Sequence, residues 1–446
     1  MYLLYSVLLG LAVVLAAPWW LVRMLTQGKY RAGLGERLGR VPARLDPAQG
    51  CIWVHAVSVG EVLAVSGLVA GLRARFPDRR VLISTTTDTG QKLARERFGK
   101  DNVFYYPADF AFAIRPYLRT LQPSLIVLAE SEFWPNFLRL ARCSGARVAV
   151  VNARISDRSL PRYLRLRALW RRVLHDLDIF LAQSEEDARR LVGIGAPMER
   201  VRVAGNLKFD VDPPKEVPVV KQIRDAITRG GANPVIVAGS TVEGEEELIL
   251  EAFGTILRSY PNALLILAPR RPERFNAVAE LPSKTYLPTW RRSNTDFSVE
   301  RVGHGVLVLD SIGELASAYA LGTIAFVGGS MVPHGGHNVL EPASLGIPVV
   351  VGRFTENFRD VISVFRKAGA IREVLCVWDH DDAVKDLCDA FVDLLRDAPA
   401  RQELRSRAAS VVQQHRGATE RVLNALAALL ANQPTAEAKL RAETTT

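Results

Sequence analysis

Apolar residues run along this chain in short unbroken blocks, separated by stretches in which they recur every three or four positions. Residues 51–57 (Cys-Ile-Trp-Val-His-Ala-Val) are one such block. It is too short for a helix and too continuous for a half-exposed strand, so it predicts a strand buried on both faces. Residues 62–76 follow with helical spacing, and 80–85 form the next block. Blocks at 124–129, 146–151 and 177–182 repeat the pattern. Strand–helix alternation of this kind predicts a parallel, doubly wound sheet. A second series runs through 235–238, 263–268, 305–309, 323–327 and 347–351, and from 411 the chain returns to helix. Between the two series Pro213, Pro214 and Pro218 break both periodicities, so 210–218 reads as a linker. The expectation is two α/β domains facing a cleft, with ligands at the carboxyl ends of the strands.

The N-terminus is patterned differently. No charge occurs from Tyr2 to Val22, a stretch that as a helix spans ~30 Å, the hydrocarbon thickness of a bilayer. Trp19 and Trp20 fall where an interfacial aromatic belt lies. Arg23, Lys29, Arg31, Arg37, Arg40 and Arg44 come next, which places the bulk of the chain on the cytoplasmic side. A cleaved signal peptide, with Ala16 and Ala17 near the cut, is the competing reading; it lacks a basic start. The predicted division is an anchor at 1–23, a basic segment at 24–48, a first Rossmann-like domain at 49–210, a hinge at 211–220, a second Rossmann-like domain at 221–432 and a polar tail at 433–446.

Composition refines this little. A chain of 446 residues exceeds what one core usually supports, which agrees with two domains. The 57 Lys and Arg against 47 Asp and Glu give a net charge of +10, favouring anionic partners without choosing among phosphate, nucleic acid and membrane. Cys51, Cys143, Cys376 and Cys388 are widely spaced, so neither a disulfide framework nor a zinc site is implied.

Five short segments carry candidate chemistry. Ser58, Gly60 and Glu61 follow the first strand and open a helix. Glu61 reads either as a complement to the helix dipole or as a general base, and a base would need burial or a second carboxylate to raise its pKa. Glu130, Ser131, Glu132 and Trp134 follow the 124–129 strand; Ser131 reads as a helix cap, or Glu130 as a carboxylate on the cleft rim. Lys208, just before the linker, is either a solvated lysine or a cation reaching the reaction centre. Pro269 and Arg270, with Arg271 and Arg274, end a buried strand and suit phosphate or carboxylate oxygens. Finally, Gly328, Gly329 and Ser330 lead into His334, Gly335, Gly336, His337, Asn338 and Glu341. A glycine-rich loop ahead of a helix offers backbone N–H groups to phosphate, and Asn338 with Glu341 also fits a capping box.

No P-loop sequence occurs, His334 and His337 lack an obvious third ligand, and Asp210-Val-Asp212 is a weak match to a metal-binding DxD.

In order along the chain, Gly35-Glu-Arg37, Ser58-Val-Gly-Glu61, Glu130-Ser-Glu-Phe-Trp-Pro135, Asn152-Ala-Arg154, Gln183-Ser-Glu-Glu-Asp187, Gly205-Asn-Leu-Lys-Phe-Asp210, Pro269-Arg270, Gly313-Glu-Leu315 and Gly335-Gly-His-Asn-Val-Leu-Glu341 resemble the Kdo (3-deoxy-manno-octulosonic acid) transferase family. The likeness runs to about Arg416. It implies a GT-B fold behind a single transmembrane helix, with the acceptor bound by the N-terminal domain and CMP-Kdo by the C-terminal one. Glu61 would be the base, and Glu130 and Lys208 the transition-state stabilisers. Pro269, Arg270, Ile312, Gly313, Glu314, Asn338, Val339, Leu340 and Glu341 would hold CMP, with Gly335, Gly336 and His337 supporting the phosphate. It further implies inversion at the anomeric centre, no metal and no cofactor, a lipid A precursor as acceptor, and a single-pass inner-membrane location. Ser131 stands where a threonine is familiar. The rival readings are a nucleotide-sugar epimerase or another GT-B enzyme, and a membrane-tethered binder of anionic lipid or nucleic acid. The scarcity of aromatics among the basic residues argues against nucleic acid as a partner.

Overall fold

The computed structural model describes residues 1–27, 32–45, 50–211, 214–285, 287–375 and 379–431. Lys29 and Arg31 of the basic flank, Asp212 and Pro213 of the linker, Cys376 and the polar tail lie outside them. The chain divides into two units, each built on a seven-stranded parallel sheet.

The first unit holds β1 (Ile52–His55), β2 (Val81–Thr85), β3 (Val103–Tyr105), β4 (Leu125–Ala129), β5 (Arg147–Ala153), β6 (Ile179–Ala182) and β7 (Val201–Val203). Their order is β3-β2-β1-β4-β5-β6-β7, all parallel. The central strands are buried on both faces because their side chains alternate between two cores. Ile52, Val54, Leu125 and Val127 enter one, and Trp53, Ile126 and Leu128 the other.

The second unit holds β8 (Val235–Thr241), β9 (Leu264–Pro269), β10 (Thr289–Arg291), β11 (Gly305–Val308), β12 (Ile324–Val327), β13 (Val349–Gly352) and β14 (Arg372–Val374). The order is β10-β11-β9-β8-β12-β13-β14, again all parallel. In both sheets the first strand pairs with strands on either side; the connections wind outward from β1 in the first, while in the second β10 takes the edge and β11 returns to lie between it and β9. The switch points lie between β1 and β4 and between β8 and β12, the positions where open α/β sheets bind ligands.

The division between units falls after Asp210, at the start of the predicted hinge, and again at Arg416. This corrects the expectation that 221–432 forms one domain. Helix Ala418–Ala431 returns to the first unit, where Ala418, Val422, Leu423, Leu426 and Leu430 are buried in the core. Gly71, inside helix Ser66–Arg75, admits it: a Cβ there would sit 2.4 Å from Leu423 Cδ1. Asp210 caps the returning helix by accepting the Gly417 N–H at 2.6 Å and that of Thr419.

Helix Tyr2–Gln27 contains the one stretch among the described residues long and apolar enough to cross a membrane, Tyr2–Trp19, with a mean hydropathy of 1.9. Leu3, Leu8, Val14 and Leu15 are all more than half exposed. Its first turns are tied to the first unit, where the Tyr2 hydroxyl donates to Asp176 Oδ2 at 2.7 Å and Asn136 Nδ2 donates to Ser6 Oγ at 3.0 Å.

Candidate active site

In the first unit, β1 ends at His55 and the chain turns into helix Val59–Ala64. Glu61 occupies its third position and folds back over the turn. It accepts the Val57 N–H on Oε2 at 2.8 Å and the Ser58 hydroxyl on Oε1 at 2.9 Å. Only 8% of the residue is exposed. Burial pushes its pKa up to about 7; the Val57 and Ser58 hydrogen bonds pull it back, while the charges of Glu130 and Glu132 push it further. A helix N-terminus favours an ionised carboxylate, and here desolvation outweighs it. The result is a carboxyl group that exchanges protons near neutrality.

Glu130 follows β4, the strand beside β1, so it stands across the switch point from the Glu61 turn. Its φ of +56° lies in the left-handed region, which costs a non-glycine residue about 1–3 kcal/mol. The Glu130 N–H donates to Val151 O at 2.9 Å, and Arg154 Nε lies 3.7 Å from its carboxylate. Asn152 (φ +53°) and Ser240 (φ +55°) are held in the same region near the ends of β5 and β8, so among the described residues three of the four such non-glycine positions lie at the carboxyl ends of central strands. Glu132, named in the same segment but given no role of its own there, accepts the Trp134 indole N–H at 3.0 Å, and burial raises its pKa.

Lys208 sits in the turn Leu207–Phe209, which packs against helix Val59–Ala64. A polar chain fixes that turn. Asn152 Oδ1 accepts the Leu207 N–H, Gln183 Nε2 donates to the Asn152 carbonyl, Asn206 Nδ2 donates to Gln183 Oε1, and Asn206 Oδ1 accepts the Lys208 N–H, each at 3.0 Å. The first unit therefore brings Glu61, Glu130 and Glu132 together and sets the Lys208 turn on the Glu61 helix. Asp210, the first residue of the weak DxD match, is committed to capping.

In the second unit the glycine-rich loop follows β12, and the amides of its first half are taken up within the protein. Glu245, fully buried, accepts the N–H groups of Gly329 at 2.7 Å, Ser330 and Met331 at 2.8 Å, and Val242 at 3.1 Å. Burial raises its pKa against those four bonds. Gly336 N–H is likewise used, donating to Gly329 O at 2.7 Å, while Gly335 O accepts the Asn357 N–H. Gly335 and Gly336 both have positive φ and let the loop fold back on itself. Nothing in the sequence separates Glu245 from Glu243, Glu246 and Glu247, so its role was not legible there.

His337, Arg270, Glu341 and Asn338 do come together. Burial takes His337 down to about 4, with the charges of Arg270 and His334 adding to the effect; its Nε2 is buried without a hydrogen-bond partner. Burial raises the Glu341 pKa, opposed by Asn338 and Arg270. Asn338 Nδ2 donates to Glu341 Oε1 at 3.2 Å and Asn338 Oδ1 accepts the Leu340 N–H at 3.1 Å. The helix begins at Leu340 with Val339 as its cap, so Asn338 stands one residue ahead of the capping position its spacing suggested; Val339 and Leu340 are buried. Pro269 closes β9 and is buried, whereas Arg270 is exposed, its N–H donating to Thr241 O at 2.9 Å. Arg274 is drawn off by Glu246 at 3.0 Å.

Ile312, Gly313 and Glu314 lie in the loop after β11. Ile312 is 77% exposed, while Glu314 is gripped by both Arg292 nitrogens at 2.8 and 2.6 Å and by Ser311. The Glu314 carboxylate therefore braces the loop, leaving Ile312 and Gly313 as its accessible part.

Residues 32–211 match a family described as "3-Deoxy-D-manno-octulosonic-acid transferase (kdotransferase)". The chain is 36% identical over 402 residues to the 3-deoxy-D-manno-octulosonic acid transferase of Haemophilus influenzae, covering 89% of this chain and 91% of that one. It is also 36% identical over 431 residues to the enzyme of the same description from Bordetella pertussis, covering 94% and 96%. A crystal structure of a glycosyltransferase from Rickettsia africae, 12% identical, superposes with a TM-score of 0.52 over 86% of this chain and 98% of that one, a likeness of fold in the GT-B class. On full-length identity at this level, the chain belongs to the Kdo transferase family of glycosyltransferases.

Proposed function

We propose that the protein transfers Kdo from CMP-Kdo to a hydroxyl of a lipid A precursor in one inverting displacement. The observation that carries the proposal is Glu61, a buried carboxyl with a pKa near 7 at the β1–β4 switch point. In this scheme the acceptor oxygen bonds to the anomeric carbon as the bond from that carbon to the CMP phosphate oxygen breaks. The hydroxyl proton passes to Glu61, and CMP departs as an anion. Glu130 and Lys208 face the oxocarbenium-like charge that develops, while Arg270 offsets the leaving phosphate. Asn338, Glu341 and the exposed edge at Ile312 and Gly313 hold the nucleoside. No step is routed through a metal.

The exposed leucines and valines of helix Tyr2–Gln27 require an apolar environment. We place the protein on the cytoplasmic face of the inner membrane, attached through that helix and the basic residues after it. Because the first turns contact Asp176 and Asn136, the helix lies along the membrane surface in this proposal, in place of the single-pass span expected from sequence.

The test is incubation with CMP-Kdo and a tetra-acylated disaccharide bisphosphate in the presence of EDTA, followed by mass spectrometry of the lipid. A mass increase of one or more Kdo residues is expected, together with protection against thermal unfolding by CMP and not by UDP. Folded protein that leaves the lipid unchanged would overturn the proposal.

A further inference from the structure

We propose that Arg37, with the Thr86 hydroxyl, forms an anion subsite on the first unit that takes a phosphate monoester of the acceptor lipid. This deepens the reading above and rests on it.

Segment 33–40 is pressed onto the end of β3. Gly33 has φ +67°, and a Cβ there would sit 1.9 Å from the Tyr105 ring. Glu36 Oε2 accepts the Tyr105 N–H at 2.7 Å, and Arg37 O accepts the Ala108 N–H at 2.8 Å. These contacts hold the Arg37 guanidinium 4.5 Å above the Tyr105 ring, with Nη2 donating to the Thr86 carbonyl at 2.5 Å.

The cation is incompletely answered. Among the described residues no carboxylate comes within ion-pair distance of it, and Nη1 makes no hydrogen bond. Its Nε is buried without a partner, as is Thr86 Oγ1. The nearby carboxylates are engaged elsewhere: Asp88 accepts the Tyr105 hydroxyl at 2.9 Å, and Glu36 accepts Arg44 at 2.8 Å. A part-buried guanidinium without a directly paired carboxylate is costly: burial pushes its pKa down, and the charges of Asp88 and Glu36 offset this only in part. A phosphate oxyanion suits the guanidinium's remaining Nη1 and accepts from a hydroxyl.

The position fits an acceptor. The Thr86 and Thr87 N–H groups donate to the Val57 carbonyl at 3.3 and 3.1 Å, and the Val57 N–H donates to Glu61 at 2.8 Å. Arg37 and the proposed base are therefore linked through the two ends of residue 57. An anion on Arg37 belongs to the molecule whose hydroxyl Glu61 deprotonates.

The experiment compares Kdo transfer by the full-length protein onto the phosphorylated disaccharide lipid and onto the same lipid after phosphatase treatment. Arg37→Ala is expected to raise KM for the phosphorylated acceptor about tenfold to a hundredfold, the range of a lost charge-assisted hydrogen bond. KM for CMP-Kdo and the already slow transfer to dephosphorylated lipid should not change. Arg37→Lys, which keeps the charge, should recover part of the loss, and Thr86→Val should show a smaller loss with the same selectivity. Equal losses on both acceptors, or a shift confined to KM for CMP-Kdo, would overturn the subsite. If Arg37→Ala fails to fold, the lysine and valine variants decide by the same criterion. Wild-type protein that retains the phosphorylated lipid in mixed micelles in an Arg37-dependent way, yet never transfers Kdo, would sink the proposed reaction and leave the subsite standing.

Discussion

The Val57 N–H donates to Glu61 Oε2 at 2.8 Å, so the end of β1 and the helix after it are joined through the one carboxyl group proposed to take the acceptor's proton. Holding that carboxyl in place also fixes its surroundings, and burial there lifts its pKa to about 7. A base must be ionised, so transfer should rise with pH through about 7 and level off above it. Glu61→Gln should reduce kcat about 10²–10⁴-fold and abolish that dependence. The same shift has a stability sign. The folded form holds the proton more tightly than the unfolded chain, so Glu61 contributes stability below its ordinary pKa of 4.5 that is lost as pH rises through 7. Glu61→Gln should therefore unfold at a higher temperature than the parent at pH 8, with the gap closing near pH 4.5. Thermal midpoints across that range check it.

Glu130 combines a strained backbone with a proposed role in charge stabilisation. Glu130→Gly should release about 1 kcal/mol of backbone strain while lowering turnover about 10²–10³-fold. Denaturant unfolding beside a transfer assay reads both, and a variant that loses stability and keeps activity would contradict the role.

Glu245 answers four buried N–H groups. Glu245→Ala leaves them unpaired and should cost at least about 3 kcal/mol, with loss of CMP binding. Calorimetry with and without CMP measures both.

Leu426 and its neighbours seat the C-terminal helix in the first unit's core. Leu426→Ala should destabilise that unit by about 2–5 kcal/mol and leave CMP protection of the second unit intact. Hydrogen exchange resolved by segment distinguishes this from a uniform loss.

The Tyr2 hydroxyl lies 2.7 Å from Asp176 Oδ2, the contact on which the proposed surface-lying helix rests. Cysteines introduced at positions 2 and 176 should be joined by a bifunctional maleimide of about 10 Å reach in isolated membranes. Labelling of position 2 from the periplasmic side, with no crosslink, would favour a spanning helix.

The longer strands were legible because four or more apolar residues in succession have few alternatives. The three-residue strands β3, β7, β10 and β14 were not, since three positions carry no period and edge strands need not be apolar. Glu61 and Glu130 stood out for the same local reason: each is a carboxylate immediately after a buried run. The Gly329, Ser330 and Met331 amides could not be seen from sequence to be taken, because the loop's own pattern says nothing of a carboxylate that approaches from the end of β8.

By itself, then, the sequence determined two parallel α/β sheets, the linker near 210, an apolar N-terminal helix and which residues stand at the strand ends, all consequences of neighbours along the chain. Tertiary structure decided which glutamate fills the glycine loop, that the last helix returns to the first unit, that Arg37 forms no ion pair among the described residues, and that Glu61 has a pKa near neutrality. Each of those depends on burial and on partners tens or hundreds of residues away, and no local pattern records them.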